Sequence, residues 1–287
     1  MGWELQRSLA PLGELVALDR KGADLYQPEQ LREIVLRIRP AVVVNAAAYT
    51  AVDKAESERD LAHKANALAP GALAEAVHEV GGVLVHFSTD YVFDGSGSAP
   101  RSETTPTGPL SVYGRTKLEG EQRIQTACHR HLILRTSWVH GARGGNFART
   151  MLRLAQEREV LKVIDDQVGA PTGADLIADV TAHAIRQALR DPACLGTYHL
   201  AAAGETSWHG YARFVLATAR ELQPALELRA REVLPIPTSA YPTPARRPLN
   251  SRLDTSRLRQ TFGLTLPRWE TGVRRMLSEI LEPKAPT

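Results

Sequence analysis

Short apolar runs of strand length alternate with segments of helical period over the first two-thirds of the chain, and this alternation most limits what the chain can fold into. Glu14–Leu18 (ELVAL) reads as a short strand ending at Asp19. Leu31, Ile34, Val35 and Ile38 then recur at helical spacing, with Pro28 in the first turn and Pro40 closing the segment. Ala41–Asn45 (AVVVN) is a continuous branched run, as expected of a strand covered on both faces. A helix is expected from Asp60 to Val80, stopped by Gly81-Gly82, then a strand at Val83–Ser88. After a Gly/Ser/Pro-rich loop at Asp94–Pro109, a helix begins near Ser111, and His131–Thr136 is the next strand. Strands separated by helices imply right-handed crossovers and therefore an α/β protein with a parallel, doubly wound sheet.

The last third reads differently. Thr206–Leu222 is expected to be helical, Pro235–Arg247 to be a loop, and a final helix to bury Val273, Met276, Leu277 and Ile280 on one face. A smaller lobe closing over a substrate is the expected partner of the sheet.

Several function classes are disfavoured. The net charge of +3 has no long basic run behind it, which argues against nucleic-acid and membrane partners. No apolar stretch approaches the length of a membrane span, and the N-terminus carries no secretory pattern. Two cysteines, Cys128 and Cys194, suit a reducing cytoplasm better than a disulfide framework. The nine histidines show no metal-binding spacing.

The chemistry concentrates at three places. In Tyr113-Gly114-Arg115-Thr116-Lys117, a four-residue step puts phenol and ammonium on one helix face. A lysine one turn away favours the phenolate and draws a poor acid-base group toward useful chemistry. By itself such a pair is more often an exposed helix face. Ser88-Thr89-Asp90 lies at the carboxyl end of the VLVHFS run, where ligands of open α/β sheets bind; an ordinary turn is the other reading. Asn45-Ala46-Ala47-Ala48 is a small-residue strand exit that a cofactor could approach closely, or alanines packing on a helix. Asp19, after the second strand, is placed to accept ribose hydroxyls of NAD, while Arg20 and Lys21 could pair with a 2′-phosphate. NADH and NADPH both remain open.

Together the strand-end threonine, the YxxxK helix and the NAAA exit resemble the extended short-chain dehydrogenase/reductases. Within that group, NAAAYTAVDKAE (Asn45–Glu56), STDYVFDG (Ser88–Gly95), VYGRTKLEGE (Val112–Glu121), RTSWVHG (Arg135–Gly141), DDQVGAPTG (Asp165–Gly173) and PTSAYPTPARRP (Pro237–Pro248) resemble the dTDP-4-dehydrorhamnose reductase family. The resemblance implies a Rossmann-like cofactor domain from residues 1–137 and roughly 163–204, with a substrate lobe from roughly 138–162 and 205–287. It implies NAD(P)H-dependent reduction of a nucleotide-sugar C4 ketone in dTDP-rhamnose biosynthesis, by a cytoplasmic homodimer. Tyr113 would be the proton donor, Lys117 would hold the nicotinamide ribose, and Thr89 would bond the reacting oxygen. Asp90 and Trp138 would contact substrate; Trp138 is equally readable as a core aromatic. Ala47, Ala48, Tyr49, Thr50 and Phe87 would lie along the cofactor, and Asp19, Asp24 and Leu25 beside its adenosine half. Some relatives use magnesium at a dimer contact, for which Glu4, Asp175 and Glu270 are the matching acidic positions; surface carboxylates are the plainer reading, and Asp175 is shorter than the usual glutamate. A sugar-nucleotide epimerase or other ketoreductase, and a non-catalytic regulatory subunit of the same fold, are the alternatives.

The resemblance also implies something about the start. Met1-Gly2-Trp3-Glu4-Leu5-Gln6 matches the end of the family's glycine turn, of which Gly2 alone is represented. The first strand and most of the pyrophosphate loop are then expected to be absent through a late-placed start. Two unpaired sheet edges, weak cofactor binding and aggregation would follow.

Overall fold

The computed structural model describes residues 1–282. Four parallel strands form the main sheet in the order Val42–Asn45, Val83–Thr89, His131–Thr136, Gly196–His199. Side chains alternate between its faces because the strand period is two. Leu84 and Ile133 point to one side, into a core with Leu31, Val35, Leu73, Val77 and Ile124 from the helices Pro28–Ile38, Ala69–Val80 and Val112–Ala127. Val85, Leu132 and Leu134 point to the other side, against Leu5, Ile177, Ile185 and Leu258 from the helices Gly2–Leu9, Ala174–Ala188 and Ser256–Phe262. Helices on both faces of a parallel sheet make the doubly wound α/β fold expected. Each fully buried aliphatic side chain here stabilises by roughly 1.5–3 kcal/mol.

A second core gathers the helices Phe147–Glu157, Trp208–Leu222 and Trp269–Leu281 around a parallel pair, Val160–Ile164 with Glu232–Ile236. Val273, Met276 and Leu277 are buried there, as the helical spacing anticipated, while Ile280 packs at its margin. Among the described residues no helix is long and apolar enough to cross a membrane.

Two local expectations need correction and a third needs refinement. Glu14–Leu18 is not a strand: it has no regular structure, and Leu15, Val16 and Leu18 are 43%, 53% and 49% exposed. A strand is held by its ladder partners, and among the described residues the Val42–Asn45 edge pairs only with Val83–Thr89. Residues 60–80 are helical as expected, but the stretch is not uniform: the α-helix Arg59–His63 passes through a π segment at Lys64–Leu68 into the α-helix Ala69–Val80. The segment from Pro235 begins as the end of the Glu232–Ile236 strand, and a 3-10 turn follows at Thr238–Ala240.

Candidate active site

The helix carrying Tyr113 is positioned at its first turn. Ser111 caps it, its hydroxyl accepting from the Gly114 N–H at 3.1 Å. Gly114 and Gly120 let the helix lie directly on backbone: a Cβ at Gly114 would collide with the Tyr91 carbonyl oxygen, and one at Gly120 with that of Asn66. The π segment supplies Asn66, fully buried. Its amide accepts from Tyr49 N–H at 2.8 Å and donates to the Tyr49 carbonyl at 3.1 Å and to Thr116 Oγ1 at 3.2 Å. One side chain thereby ties the exit of the Val42–Asn45 strand to the Tyr113 helix. Such π insertions commonly sit at functional sites.

Thr89 and Asp90 end the neighbouring strand beneath Tyr113. Thr89 Oγ1 accepts from Tyr91 N–H at 3.2 Å and donates to Asp90 Oδ1 at 3.1 Å. The Tyr91 ring meets the Tyr113 ring edge-on at 5.6 Å. Burial pushes the Tyr113 phenol up to about 12; the nearby Thr89 hydroxyl opposes this and the Asp90 charge adds to it. Tyr113 is thus a proton carrier at neutral pH. Burial raises Asp90 to about 6, against hydrogen bonds from Ser251 and Thr89. Lys117 is 2% exposed; its Nζ donates to the Phe87 carbonyl at 2.6 Å and lies 3.0 Å from His86 Nε2. Burial lowers Lys117 to about 8, and Glu121 one turn on works in the opposite direction. Glu121 is itself held by a buried bidentate contact with Arg135, at 2.9 and 2.6 Å.

The strand exit leaves Ala46, Ala47 and Thr50 exposed and Ala48 and Tyr49 half-buried, so a flat ligand can reach the backbone there. Phe87 is buried in the strand alongside. Ser88 Oγ, Asp90 Oδ2 and Thr136 Oγ1 are buried at the strand ends without a partner among the described residues, which marks this end of the sheet as built to meet polar groups.

Trp138 follows the His131–Thr136 strand with its backbone in the left-handed region, φ 47°. Its ring stacks on Trp208 at 3.6 Å and closes against Gly169, whose missing Cβ would also meet Ser251. Ser251, 3% exposed, lies near enough to Asp90 to oppose the rise in its proton affinity, so Trp138 approaches the Thr89–Asp90 strand end through Gly169 and Ser251.

Asp19, Asp24 and Leu25 occupy a separate turn. Asp19 accepts from Lys21 and Gly22 N–H at 2.9 and 3.1 Å, Asp24 accepts from Tyr26 N–H at 3.1 Å, and Leu25 packs on the sheet core. The magnesium positions are not brought together as ligands: Glu4 pairs with Arg7, Asp175 with Arg275 and Glu270 with Arg268. Among the described residues no group of three acidic, histidine or cysteine side chains could hold a metal ion. Each of the three carboxylates meets an arginine of this chain.

Four site residues were missed in the sequence reading: His86, Asn66, Ser251 and Arg247, the last bonded to Asp53 at 2.8 Å. A signal existed only for His86, a lone ring inside an apolar run that must find polar partners if covered on both faces.

Residues 1–282 match the model of the RmlD substrate binding domain family. The chain is 56% identical to a dTDP-4-dehydrorhamnose reductase of Salmonella typhimurium, covering 98% of this chain and 94% of that protein. It is 54% identical to the Escherichia coli enzyme of that name, covering 99% and 96%. A solved dTDP-4-dehydrorhamnose reductase from Clostridium acetobutylicum superposes with a TM-score of 0.86 at 34% identity, over 96% of this chain and 94% of that one. One from Bacillus anthracis in complex with NADP gives 0.85 at 35% identity, over the same shares of the two chains, 96% and 94%.

Proposed function

The chain belongs to the RmlD substrate binding domain family, and from that membership we propose that it reduces the C4 ketone of dTDP-4-dehydro-6-deoxy-L-mannose to dTDP-L-rhamnose with NAD(P)H. The observation that carries the reading is the meeting of Thr89, Tyr113 and Lys117 at one strand end in a chain similar to such reductases over nearly its whole length.

The cofactor, when bound, supplies hydride to the ketone carbon. The residues do the rest. Tyr113, protonated at neutral pH, gives its phenolic proton to the oxygen that becomes the C4 hydroxyl. The Thr89 hydroxyl, itself oriented by Asp90 and the Tyr91 N–H, holds that oxygen in line. Lys117, one helical turn on from Tyr113, would hold the nicotinamide ribose and favour the phenolate as it forms. Trp138, stacked on Trp208, offers a flat wall to the sugar. Exposed Ala46, Ala47 and Thr50 give the nicotinamide half its approach, and Asp19 with Arg20 and Lys21 keeps both NADH and NADPH within the proposal. In the same reading the main sheet is the cofactor domain and the second core the substrate lobe of a cytoplasmic homodimer; two buried free cysteines, Cys128 and Cys194, suit that compartment.

The test is net oxidation of NADPH on addition of the nucleotide-sugar ketone, with dTDP-L-rhamnose identified as product. Cofactor consumption matching product supports the reduction. Substrate turnover with no net consumption would replace it by epimerisation.

A further inference from the structure

His86 is fully buried on the central strand and takes no part in the reaction as proposed above. It stands between two site residues. Its Nε2 is 3.0 Å from Lys117 Nζ, and its Nδ1 is 3.1 Å from Asn45 Nδ2. Asn45, 6% exposed, uses its Oδ1 to accept from the Ala47 N–H at 3.2 Å. A backbone N–H is always a donor, so the Ala47 contact fixes which end of the Asn45 amide faces the ring. The NH2 end faces His86 Nδ1, which must then be the accepting nitrogen.

A neutral imidazole with Nδ1 accepting carries its proton on Nε2. That N–H points at Lys117 Nζ, which answers it with a lone pair only when the lysine is an amine. The amine still has an N–H for the Phe87 carbonyl at 2.6 Å. With Lys117 as ammonium the chain fails at one link. Either the ring offers Nδ1–H to the Asn45 NH2, or the amide turns over and sets its NH2 against the Ala47 N–H.

We propose that Asn45 and His86 are positioning residues behind Lys117, Asn45 selecting the histidine tautomer and His86 turning an N–H toward the lysine so that it can release a proton. The proposal deepens the reductase reading and rests on it for the use to which the proton is put. The buried or neighbouring titratable groups are Tyr113 and Glu121 on the same helix, Asp90 and Tyr91 beyond the central strand, and Arg135 on the next strand, bonded to Glu121. Burial and then the Lys117 charge hold His86 far below its ordinary value, so it remains a neutral ring through the working range.

Asn45→Asp is the discriminating change. A carboxylate of the same shape accepts from both Ala47 N–H and the ring, which forces the proton onto Nδ1 and leaves Nε2 to accept from a lysine ammonium. The first measurement is the nitrogen spectrum of 15N-histidine-labelled full chain without ligands at about pH 9, above the value of about 8 to which burial lowers Lys117, so that the lysine is the amine the relay requires. The expected wild-type signature is a bare Nδ1 and a protonated Nε2 for His86, assigned by its loss in His86→Phe, with the two exchanged in Asn45→Asp. A wild-type His86 ring protonated at Nδ1 overturns the proposal, and where His86→Phe does not fold the ring is assigned instead by through-bond correlation to its own backbone. The second is the pH profile of NADPH oxidation, whose limb from Lys117 is expected to move up by about one unit in Asn45→Asp. A tautomer that exchanges while the limb stays in place overturns the link to Lys117. Absence of NADPH oxidation by the wild type would count against the reductase reading, while the histidine spectrum decides the relay by itself.

Discussion

Tyr113 and Lys117 stand one helical turn apart, and burial moves their proton affinities in opposite directions, the phenol up to about 12 and the ammonium down to about 8. Desolvation penalises the charged form of each, so it favours a protonated tyrosine and eases proton loss from lysine. For reduction of a ketone this is the useful direction. Tyr113→Phe is therefore expected to lower kcat by roughly 10²–10⁴-fold, the range for loss of a general acid. NADPH affinity, followed by quenching of tryptophan fluorescence, is expected to change little. A comparable loss of affinity would move Tyr113 from proton donor to cofactor contact.

At the scale of elements, the site depends on how closely one helix lies on its neighbours. Gly114 and Gly120 are the contact points, against the carbonyls of Tyr91 and Asn66. Gly120→Ala faces rigid backbone, and overpacking of this kind costs about 1–3 kcal/mol. Its midpoint in a urea melt is expected to fall and kcat to fall with it, because the Asn66 bridge to Tyr49 and Thr116 is displaced. Ser111→Ala removes a capping acceptor and is expected to cost about 1 kcal/mol. Unchanged melts for both variants would show that the first turns of this helix are held from elsewhere.

At the scale of the whole molecule, buried histidines set the response to acid. His140 and His199 are 4% and 0% exposed, and burial lowers them to about 4 and about 3. Between those values and the unfolded value near 6.5 the unfolded chain binds more protons, so stability is complete above pH 6.5 and is lost as pH falls. Asp90 acts in the other sense, since its raised value lets the native state take a proton first below about 6. From pH 7 to pH 5 each histidine contributes a loss of about 2 kcal/mol and Asp90 a gain of about 1 kcal/mol. Urea melts at the two pH values are expected to show a net loss, reduced in His199→Gln. A second expectation concerns Leu15, Val16 and Leu18, three large apolar side chains exposed close together in sequence. Val16→Glu is expected to lower light scattering on warming without moving the melting midpoint; no change would place the association surface elsewhere.

Local pattern alone determined much of this protein. The branched runs at Val83–Thr89 and His131–Thr136 are strands covered on both faces, as continuous apolar sequence implies, whereas Val42–Asn45 is a strand at the sheet edge with its valines only half-buried. The Tyr113–Lys117 step put both groups on one helix face through helical geometry alone. Tertiary structure decided whatever needed a distant partner. ELVAL has strand composition but pairs with no strand among the described residues, and it stays irregular. Glu4, Asp175 and Glu270 look free in sequence, yet each meets an arginine. His86, Asn66 and Ser251 act through contacts with residues 31, 50 and 161 positions away, the last pair being Ser251 and Asp90. Periodicity is a property of neighbours along the chain, whereas proton affinity and hydrogen-bond partnership belong to neighbours in space.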